Sequence, residues 1–357
     1  MKMQAAIKNN ERGSILIVTL WTITLLTILV TALAGQVRLS SRVALFHKEE
    51  LETWAKLLSA INQAEMELML EQMPLGLVTI DETNEAGRNP LYRYNGRELQ
   101  LSYPQADDIT VRIYDHSGKI NLRELGRPRM RSMLEKRLGP NAAAQIDELM
   151  DAWNDWTDLN DDEGVNGAEI DYYEGLESPY QPRNSKIESV EEILQIRGFA
   201  EVFGDVDLDA AFTLYGESEL INLNFATKEA MELIPGLDDE LIEEILTFRQ
   251  DKDFGGNGDI AQLVSAENMA LLRPWLQTTR TSNYYTIMAY KNPSPQNRNP
   301  ENLDDAVIEW QDDESLTAFA EIVQISSFTE PPRVLKVTPY QKVPVRMVVK
   351  SEDETSQ

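Results

Sequence analysis

The chain has 357 residues, enough for two domains beyond a membrane segment. Its formal net charge is −27, and a surface this acidic repels phosphate backbones, which argues against a nucleic-acid partner. The absence of cysteine excludes disulfides, thiolate metal sites and lipid-modified cysteine.

The N-terminal region is dominated by an uncharged apolar run. Residues Ser14 to Val37 carry no charge over 24 positions, and about 20 apolar residues suffice to span a bilayer. The run continues without proline into a segment whose apolar residues recur at helical spacing. These residues are Leu51, Trp54, Leu58, Ile61, Ala64 and Leu68. The pattern predicts one helix over residues 14–72, starting in a membrane and ending in water.

Three interpretations of this N-terminus remain open. A signal peptide would be cut after the apolar run, near Thr31-Ala32-Leu33-Ala34-Gly35. A plain membrane anchor would keep its N-terminus. The third interpretation is a short leader cut before the run, between Gly13 and Ser14. The length of the run and the helical pattern beyond it argue against the signal peptide.

The residues around Gly13 carry a family resemblance. Gly13-Ser14 followed by Ile-Leu-Ile-Val-Thr-Leu-Trp resembles the N-terminus of type IV pilins and of type II secretion pseudopilins. The resemblance implies that a prepilin peptidase removes residues 1–13 on the cytoplasmic side and that Ser14 is then methylated. Positive charge on Lys2, Lys8 and Arg12 agrees with a cytoplasmic leader. Without the leader, the net charge is about −29.

The fifth residue after the predicted cleavage site indicates which branch of the pseudopilin family the chain resembles. Most pseudopilins carry glutamate there, whereas this chain has Val18. Within the family, protein K of type II secretion lacks that acid and is much longer than other pseudopilins, so the chain resembles the protein K family. A carboxylate inside a bilayer is costly unless it is paired. The resemblance implies that this glutamate pairs with the amino terminus of the subunit that was assembled before it. The first subunit has no such partner, so an apolar residue is favoured at this position.

Strand patterns flank a long helical region. They occur at 91–94, 98–103 and Ile109–Asp115, and return at 284–290, 315–326 and 333–338. Together with the protein K resemblance, this order predicts an α+β fold. A long N-terminal transmembrane helix packs on an antiparallel pseudopilin sheet, with a large, mainly helical domain inserted between strands. The predicted divisions are the leader 1–13, the transmembrane half-helix 14–37, the periplasmic helix and first strands 38–118, the inserted helical domain 119–280, the returning strands 281–345 and a disordered acidic tail 346–357.

The predicted insertion contains a weak internal repeat. Gly118-Lys-Ile-Asn-Leu122 is echoed by Glu219-Leu-Ile-Asn-Leu223, and a glycine-bearing hairpin follows each copy, at 195–199 and 233–237. The second copy resembles the helix-hairpin-helix units of DNA-binding proteins. Because Asp238-Asp239-Glu240 would repel phosphate, we predict a packing module without DNA binding. Asn121 and Asn222 are predicted to cap helices.

The densest cluster of oxygen ligands lies at 155–171. Counted from Asp158, acidic or amide side chains occupy positions 1, 3, 5 and 12, which are Asp158, Asn160, Asp162 and Glu169. This is the spacing of a calcium loop, although Gly164 comes one place later than the usual turn glycine. A solvated acidic loop and a catalytic carboxylate pair are the alternatives.

The protein K resemblance also implies a calcium loop here, matched at Trp156, Asp158, Asn160 and Gly167-Ala168-Glu169. It implies one or two calcium ions. Asp155, Asp161 and Asp171 are candidate ligands of the second ion.

The resemblance further implies a function in protein export. The expected protein is a single-pass inner-membrane minor pseudopilin with a C-terminal periplasmic domain, and not an enzyme. It would assemble with minor pseudopilins I and J and the major pseudopilin, initiating or capping the tip of the periplasmic pseudopilus. Two rivals remain: a membrane-anchored helix-hairpin-helix DNA-binding protein, and a signal-anchored periplasmic hydrolase using Asp158 and Glu169.

Overall fold

The structure is a computed structural model that describes residues 11–73, 94–99, 101, 106, 108–278, 282–292 and 315–344. The chain divides into two compact units, Met1–Lys56 and Leu57–Gln357. Most of the predicted leader and all of the predicted acidic tail lie outside the described residues.

The described part of the first unit is entirely helical and belongs to helix α1 (Glu11–Glu71). Its large apolar side chains are exposed, as expected for a lipid-facing surface. Threonine hydroxyls within the apolar run donate to carbonyls three or four residues earlier, so these polar groups are satisfied inside the helix. They belong to Thr19, Thr22, Thr24, Thr27 and Thr31. Among the described residues, α1 is the one helix long and apolar enough to cross a membrane.

The second unit contains a five-stranded antiparallel sheet of order β1-β2-β7-β8-β9. Its strands are β1 (Asn95–Glu98), β2 (Ile109–Asp115), β7 (Tyr284–Lys291), β8 (Ser315–Gln324) and β9 (Arg333–Pro344). The chain leaves this sheet after β2 and returns in the neighbouring strand β7. The predicted fold class, an antiparallel sheet interrupted by a mainly helical insertion, is confirmed.

The first predicted strands differ from the observed one. Tyr94 lies in a turn, β1 begins one residue later, and most of 91–94 and 98–103 lies outside the described residues. Gly96 has a φ of +86°, so it takes a conformation that suits glycine and disrupts regular pairing with β2.

The C-terminal part of α1 buries one face. Three predicted members of that face are buried, whereas Leu58 is 43% exposed and Leu51, in the first unit, is 69% exposed. A face that repeats every three and four residues from residue 57 replaces the predicted one. Its buried residues are Leu57, Ala60, Ile61, Ala64 and Leu68.

A pair of carboxyl groups joins this part of α1 to the sheet. Glu65 and Glu321 of β8 share a hydrogen bond, which requires a proton on one of them. Glu321 is buried, and its burial, followed by the charge of Glu65, raises its pKa to about 7. Gln72 also donates to the Ile325 carbonyl oxygen at 3.1 Å.

We expect the Glu65–Glu321 contact to weaken as the pH rises. Because the folded-state pKa of Glu321 is raised above 4.5, its stabilising contribution is complete below that pH and is lost as the pH rises through about 7. Glu321→Gln should therefore be more stable than the parent chain at pH 8 and about equally stable at pH 4.5. Chemical denaturation at both pH values measures this difference. Glu330→Gln, at an exposed position, is the control, and equal pH dependence in parent and Glu321→Gln would contradict the prediction.

Residues 119–278 form the inserted helical block. Its helices are α2 (Arg127–Leu138), α3 (Ala143–Thr157), α4 (Ile170–Glu174), α5 (Phe199–Phe203), α6 (Leu208–Ala211), α7 (Lys228–Glu232), α8 (Asp239–Asp251), α9 (Asn257–Leu263) and α10 (Ala266–Leu272). One contiguous apolar core runs through the block, from Ile120 to Leu276. A cysteine-free domain can fold on a core of this size without covalent cross-links.

Each copy of the internal repeat forms a small parallel ladder. In the first copy β3 (Ile120–Asn121) pairs with β4 (Phe212–Thr213), and in the second β5 (Ile221–Asn222) pairs with β6 (Leu276–Gln277). The hairpin glycines also correspond, since Gly198 and Gly236 both have positive φ.

The predicted helix caps are wrong. The Asn121 carboxamide oxygen accepts from the Arg123 N–H, and the Asn222 oxygen accepts from the Asn224 N–H. Both asparagines therefore close turns. The caps of α2 and α7 are Gly126 and Thr227. The asparagine pattern marked the start of each repeat correctly, but a turn of several residues separates it from the helix.

Candidate metal-binding loop

The acidic loop connects α3 to α4 and is anchored by aromatic side chains. Trp156, at the end of α3, is buried and lies edge-to-face against Tyr173 of α4, with ring centroids 5.2 Å apart. It meets Tyr180 similarly at 6.2 Å. Helix α3 is amphipathic, so its apolar face fixes one end of the loop in the core while its acidic residues continue into the loop.

Asp155 organises the interior of the loop. Its side chain is buried and accepts hydrogen bonds from the N–H groups of Gly164, at 3.1 Å, and Ala168, at 2.8 Å. A Cβ on Gly167 would lie 1.7 Å from an Asp155 carboxylate oxygen, so only glycine fits there. Backbone donors thus already occupy the carboxylate that was predicted as a second-ion ligand.

The first residues of the loop form successive turns. The Asp158 carboxylate accepts from the Asn160 N–H at 3.1 Å, and the Asn160 oxygen accepts from the Asp162 N–H at 2.8 Å. These side chains shape their own backbone in the manner of Asx turns. Asn184, from a later segment, donates to the Asn160 carbonyl and to the Asp161 carboxylate.

Glu169 is the most unusual ionisable group of the loop. It is 4% exposed, and neither of its carboxylate oxygens has a well-aligned hydrogen-bond donor, although the Asn184 side chain interacts with it. Burial, followed by the charges of Asp155, Asp158 and Asp161, raises its pKa to about 7. A buried carboxylate without donors is costly, and a bound cation would remove that cost.

Asn184 is a further candidate that the spacing pattern missed. Its backbone φ is +46°, its carboxamide oxygen is buried without a hydrogen-bond partner, and the side chain is close enough to Glu169 to oppose the rise in the glutamate's pKa. The residue lies 15 positions after Glu169, beyond any loop motif. A positive φ at a non-glycine residue can be found only in the fold.

The remaining predicted residues are spread over the loop surface. Asn160, Asp161, Asp162 and Asp171 are exposed, and Asp158 is half-buried. Val165, at the position where a calcium loop usually packs an apolar residue, is 95% exposed. Among the described residues, no three histidine, cysteine, aspartate or glutamate side chains are arranged to hold one ion. Amide or carbonyl oxygens would have to complete a calcium site.

Comparison with known proteins places this loop inside a recognised domain. Residues 118–203 match the family described as type II secretion system protein K. A protein of Escherichia coli (strain K12), named for protein K of a type II secretion system, is 24% identical over 240 residues. The alignment covers 64% of this chain and 70% of the relative. Residues 118–203 of this chain therefore form a domain of the type II secretion protein K family.

A solved structure is also similar. It is the crystal structure of the GspK-GspI-GspJ complex from the type 2 secretion system of enterotoxigenic Escherichia coli. The matched chain is 13% identical, with a TM-score of 0.45, over 83% of this chain and 98% of the other.

The family resolves the function class. Protein K is a minor pseudopilin, and the resemblance to this family is confirmed by a domain match that includes the acidic loop but not the leader or Val18. The DNA-binding and hydrolase interpretations are not favoured. The structure agrees with the charge argument at the second hairpin, because Asp238 caps α8 by accepting from the Leu241 N–H. That carboxylate stands at the helix N-terminus, where a phosphate would otherwise bind.

Proposed function

We propose that this minor pseudopilin is the tip subunit of the periplasmic pseudopilus, anchored in the inner membrane by α1. One observation carries the proposal. The protein K domain at residues 118–203 is inserted in the chain between two strands of an antiparallel sheet, and this sheet follows a long apolar helix. The inserted block gives the subunit a bulky head. We infer that this head stops further subunits from stacking above it.

The partners follow from the same assignment. The similar solved structure contains GspI and GspJ, and we propose the corresponding minor pseudopilins I and J as partners of this chain, with the major pseudopilin below them. The apolar side chains of α1 are exposed and would pack against neighbouring pseudopilin helices. Val18 supports the tip position, because an unpaired acid in a membrane is costly and a first subunit offers it no partner.

We further propose that the acidic loop binds calcium. Asp158, Asn160, Asp162 and Glu169 would supply oxygen ligands, together with Asn184. Asp155, Asp161 and Asp171 are the candidates for a second ion. The support is the buried Glu169 carboxylate, which lacks a well-aligned donor, the unpartnered Asn184 oxygen and the purely oxygen character of the set, which calcium prefers. When bound, the ion would neutralise the mutual repulsion of the carboxylates and order the loop.

The processing site provides the direct test of the assignment. Co-expressed with a prepilin peptidase, the mature chain should begin at a methylated Ser14, as read by N-terminal sequencing and intact mass. Gly13→Leu should abolish cleavage, because it changes the residue that the pseudopilin resemblance places directly before the cut.

Gly35→Leu is the matched control. A pseudopilin with this change is still cut after Gly13, whereas a signal-peptidase substrate loses its cleavage. A mature N-terminus at Met1, or one just after Gly35, would overturn the assignment.

A further inference from the structure

The chain passes between the sheet and the helical block at two crossings. β2 ends at Asp115 and enters the block through a 3₁₀ turn, His116–Gly118. The chain returns through Ser282 into β7. Because β2 and β7 are neighbours, with Asp115 paired to Tyr285, the two crossings lie side by side.

Asp115 binds both crossings. Its carboxylate accepts the Ser117 N–H at 2.7 Å and the Ser282 N–H at 3.2 Å. The Ser282 hydroxyl lies 2.8 Å from the carboxylate and 2.7 Å from the Tyr284 carbonyl, so its one proton serves either acceptor. Asp115 is 1% exposed, and a charge-assisted hydrogen bond in such a site is strong.

His116 forms a second bridge beside the first. Its Nδ1 lies 2.6 Å from the hydroxyl of Thr213 in β4, and its Nε2 lies 2.8 Å from the hydroxyl of Thr286 in β7. Burial, followed by the charge of Lys119, lowers the pKa of His116 well below its usual value, so the ring is neutral. A neutral imidazole offers one donor and one acceptor, and the two hydroxyls can satisfy both. His116 thus links a strand of the block to a strand of the sheet.

A cleft of about 470 Å³ lies between the sheet and the block; the His116 bridge, with Thr213 and Thr286, lines it at one end, and residues of β9 line it elsewhere. Contacts across it are longer and more exposed. Lys336 of β9 meets Glu191 at 3.7 Å, with both side chains about half exposed, and Gln341 of β9 lies 3.4 Å from Asp209. Exposed pairs of this kind contribute little to stability. The block is therefore held by short buried bonds at the crossings and by weak bonds on the far side.

We propose that the two crossings form a hinge, and that Asp115 and His116 clasp this hinge so that the helical block keeps one orientation on the sheet. Adjacent chain crossings allow rotation, and the cleft provides space for it, as in other hinged domain pairs. Loss of the clasp then releases the block while leaving its own core intact. The proposal concerns the soluble head and stands independently of the secretion role.

Distance measurement between two spin labels tests the clasp. The chain has no cysteine, so Glu201→Cys on α5 and Tyr340→Cys on β9, both exposed positions, can be labelled uniquely in the full chain in detergent. The parent should give one narrow distance distribution by pulsed electron resonance. Asp115→Asn combined with Thr213→Val should give a width about twice that of the parent, because both bridges are weakened.

Two further variants keep the test decisive. Thr213→Val alone is nearly isosteric, and it replaces the double variant if that chain does not fold. Asp238→Asn makes the same chemical change at a helix cap inside the block, away from the crossings, where asparagine caps about as well as aspartate, so it should leave the distribution narrow. An unchanged width in a folded clasp variant, or equal broadening in Asp238→Asn, would overturn the proposal.

Discussion

Calcium should raise the melting temperature of the full chain, and Glu169→Gln should remove most of that rise. Glu169 is buried without a well-aligned hydrogen-bond donor, so in the absence of an ion its ionised form destabilises the folded loop. A ligand at about 100 times its dissociation constant stabilises the folded state by about 2.7 kcal/mol. For a head of this size, that corresponds to a rise of about 5–10 °C.

The pH dependence of this effect has a definite sign. Without calcium, the folded-state pKa of Glu169 is raised to about 7. Its stabilising contribution is therefore complete below about pH 4.5 and is lost as the pH rises through 7. Calcium requires the ionised carboxylate, so the calcium-induced rise in melting temperature should grow from pH 6 to pH 8.

The matched control is Glu163→Gln. Glu163 is exposed in the same loop and lies outside the proposed ligand set, so this variant should keep the full response. Asn184→Ala should reduce the response, which tests the ligand that the spacing pattern missed. Thermal unfolding followed by circular dichroism, with calcium and with chelator, measures all four chains. A melting temperature indifferent to both additions would refute the calcium site.

Trp156→Ala should lower the free energy of unfolding of the head by about 3–5 kcal/mol. The indole is 2% exposed and packs against the rings of Tyr173 and Tyr180, so its removal leaves a cavity beneath the acidic loop. Because the same side chain anchors the loop, the variant should also bind calcium more weakly than the parent. Denaturant unfolding in chelator separates the packing loss from the loss of calcium binding.

Trp156→Phe distinguishes the loss of aromatic packing from the loss of the indole N–H. The indole N–H has no hydrogen-bond partner, so phenylalanine keeps most of the aromatic contact and loses no bond. We expect a cost below about 1.5 kcal/mol. Leu159→Ala, at a loop side chain that is 88% exposed, should be nearly neutral. A large cost for Trp156→Phe, equal to that of alanine, would show that a bond to the indole N–H matters and would contradict this account.

The sequence was most informative for elements that can be recognised from one continuous segment of the chain. The uncharged run from Ser14 to Val37 needs no tertiary partner to be recognised, since length and composition decide whether a helix can span a bilayer. Alternation in β2 and the return of strand patterns after residue 283 likewise predicted an interrupted antiparallel sheet. In each case the local pattern identified the element, although β2 is buried on both faces and its alternation does not separate a buried face from an exposed one.

Predictions failed where burial depends on distant parts of the chain. Leu58 was predicted on the buried face of α1, but Leu57 and Ala60 are buried instead. Asn121 and Asn222 have the composition of helix caps, yet the ladders β3–β4 and β5–β6 hold them in turns before the helices begin. Spacing alone does not distinguish these outcomes, because both Leu57 and Leu58 fit a pattern of threes and fours, and the packed neighbours decide which of them is buried.

By itself, the sequence determined the membrane segment, the α+β class with its insertion, the pseudopilin resemblance and the location of the acidic loop. Each depends on residues close together in the chain, whose periodicity and charge act locally. Only the tertiary structure decided that Glu169 is buried without a well-aligned donor, that Asn184 lies beside it, and that Asp115 joins two crossings separated by 167 positions. Desolvation and hydrogen bonding depend on which distant groups fold against a side chain, and no local pattern contains that information.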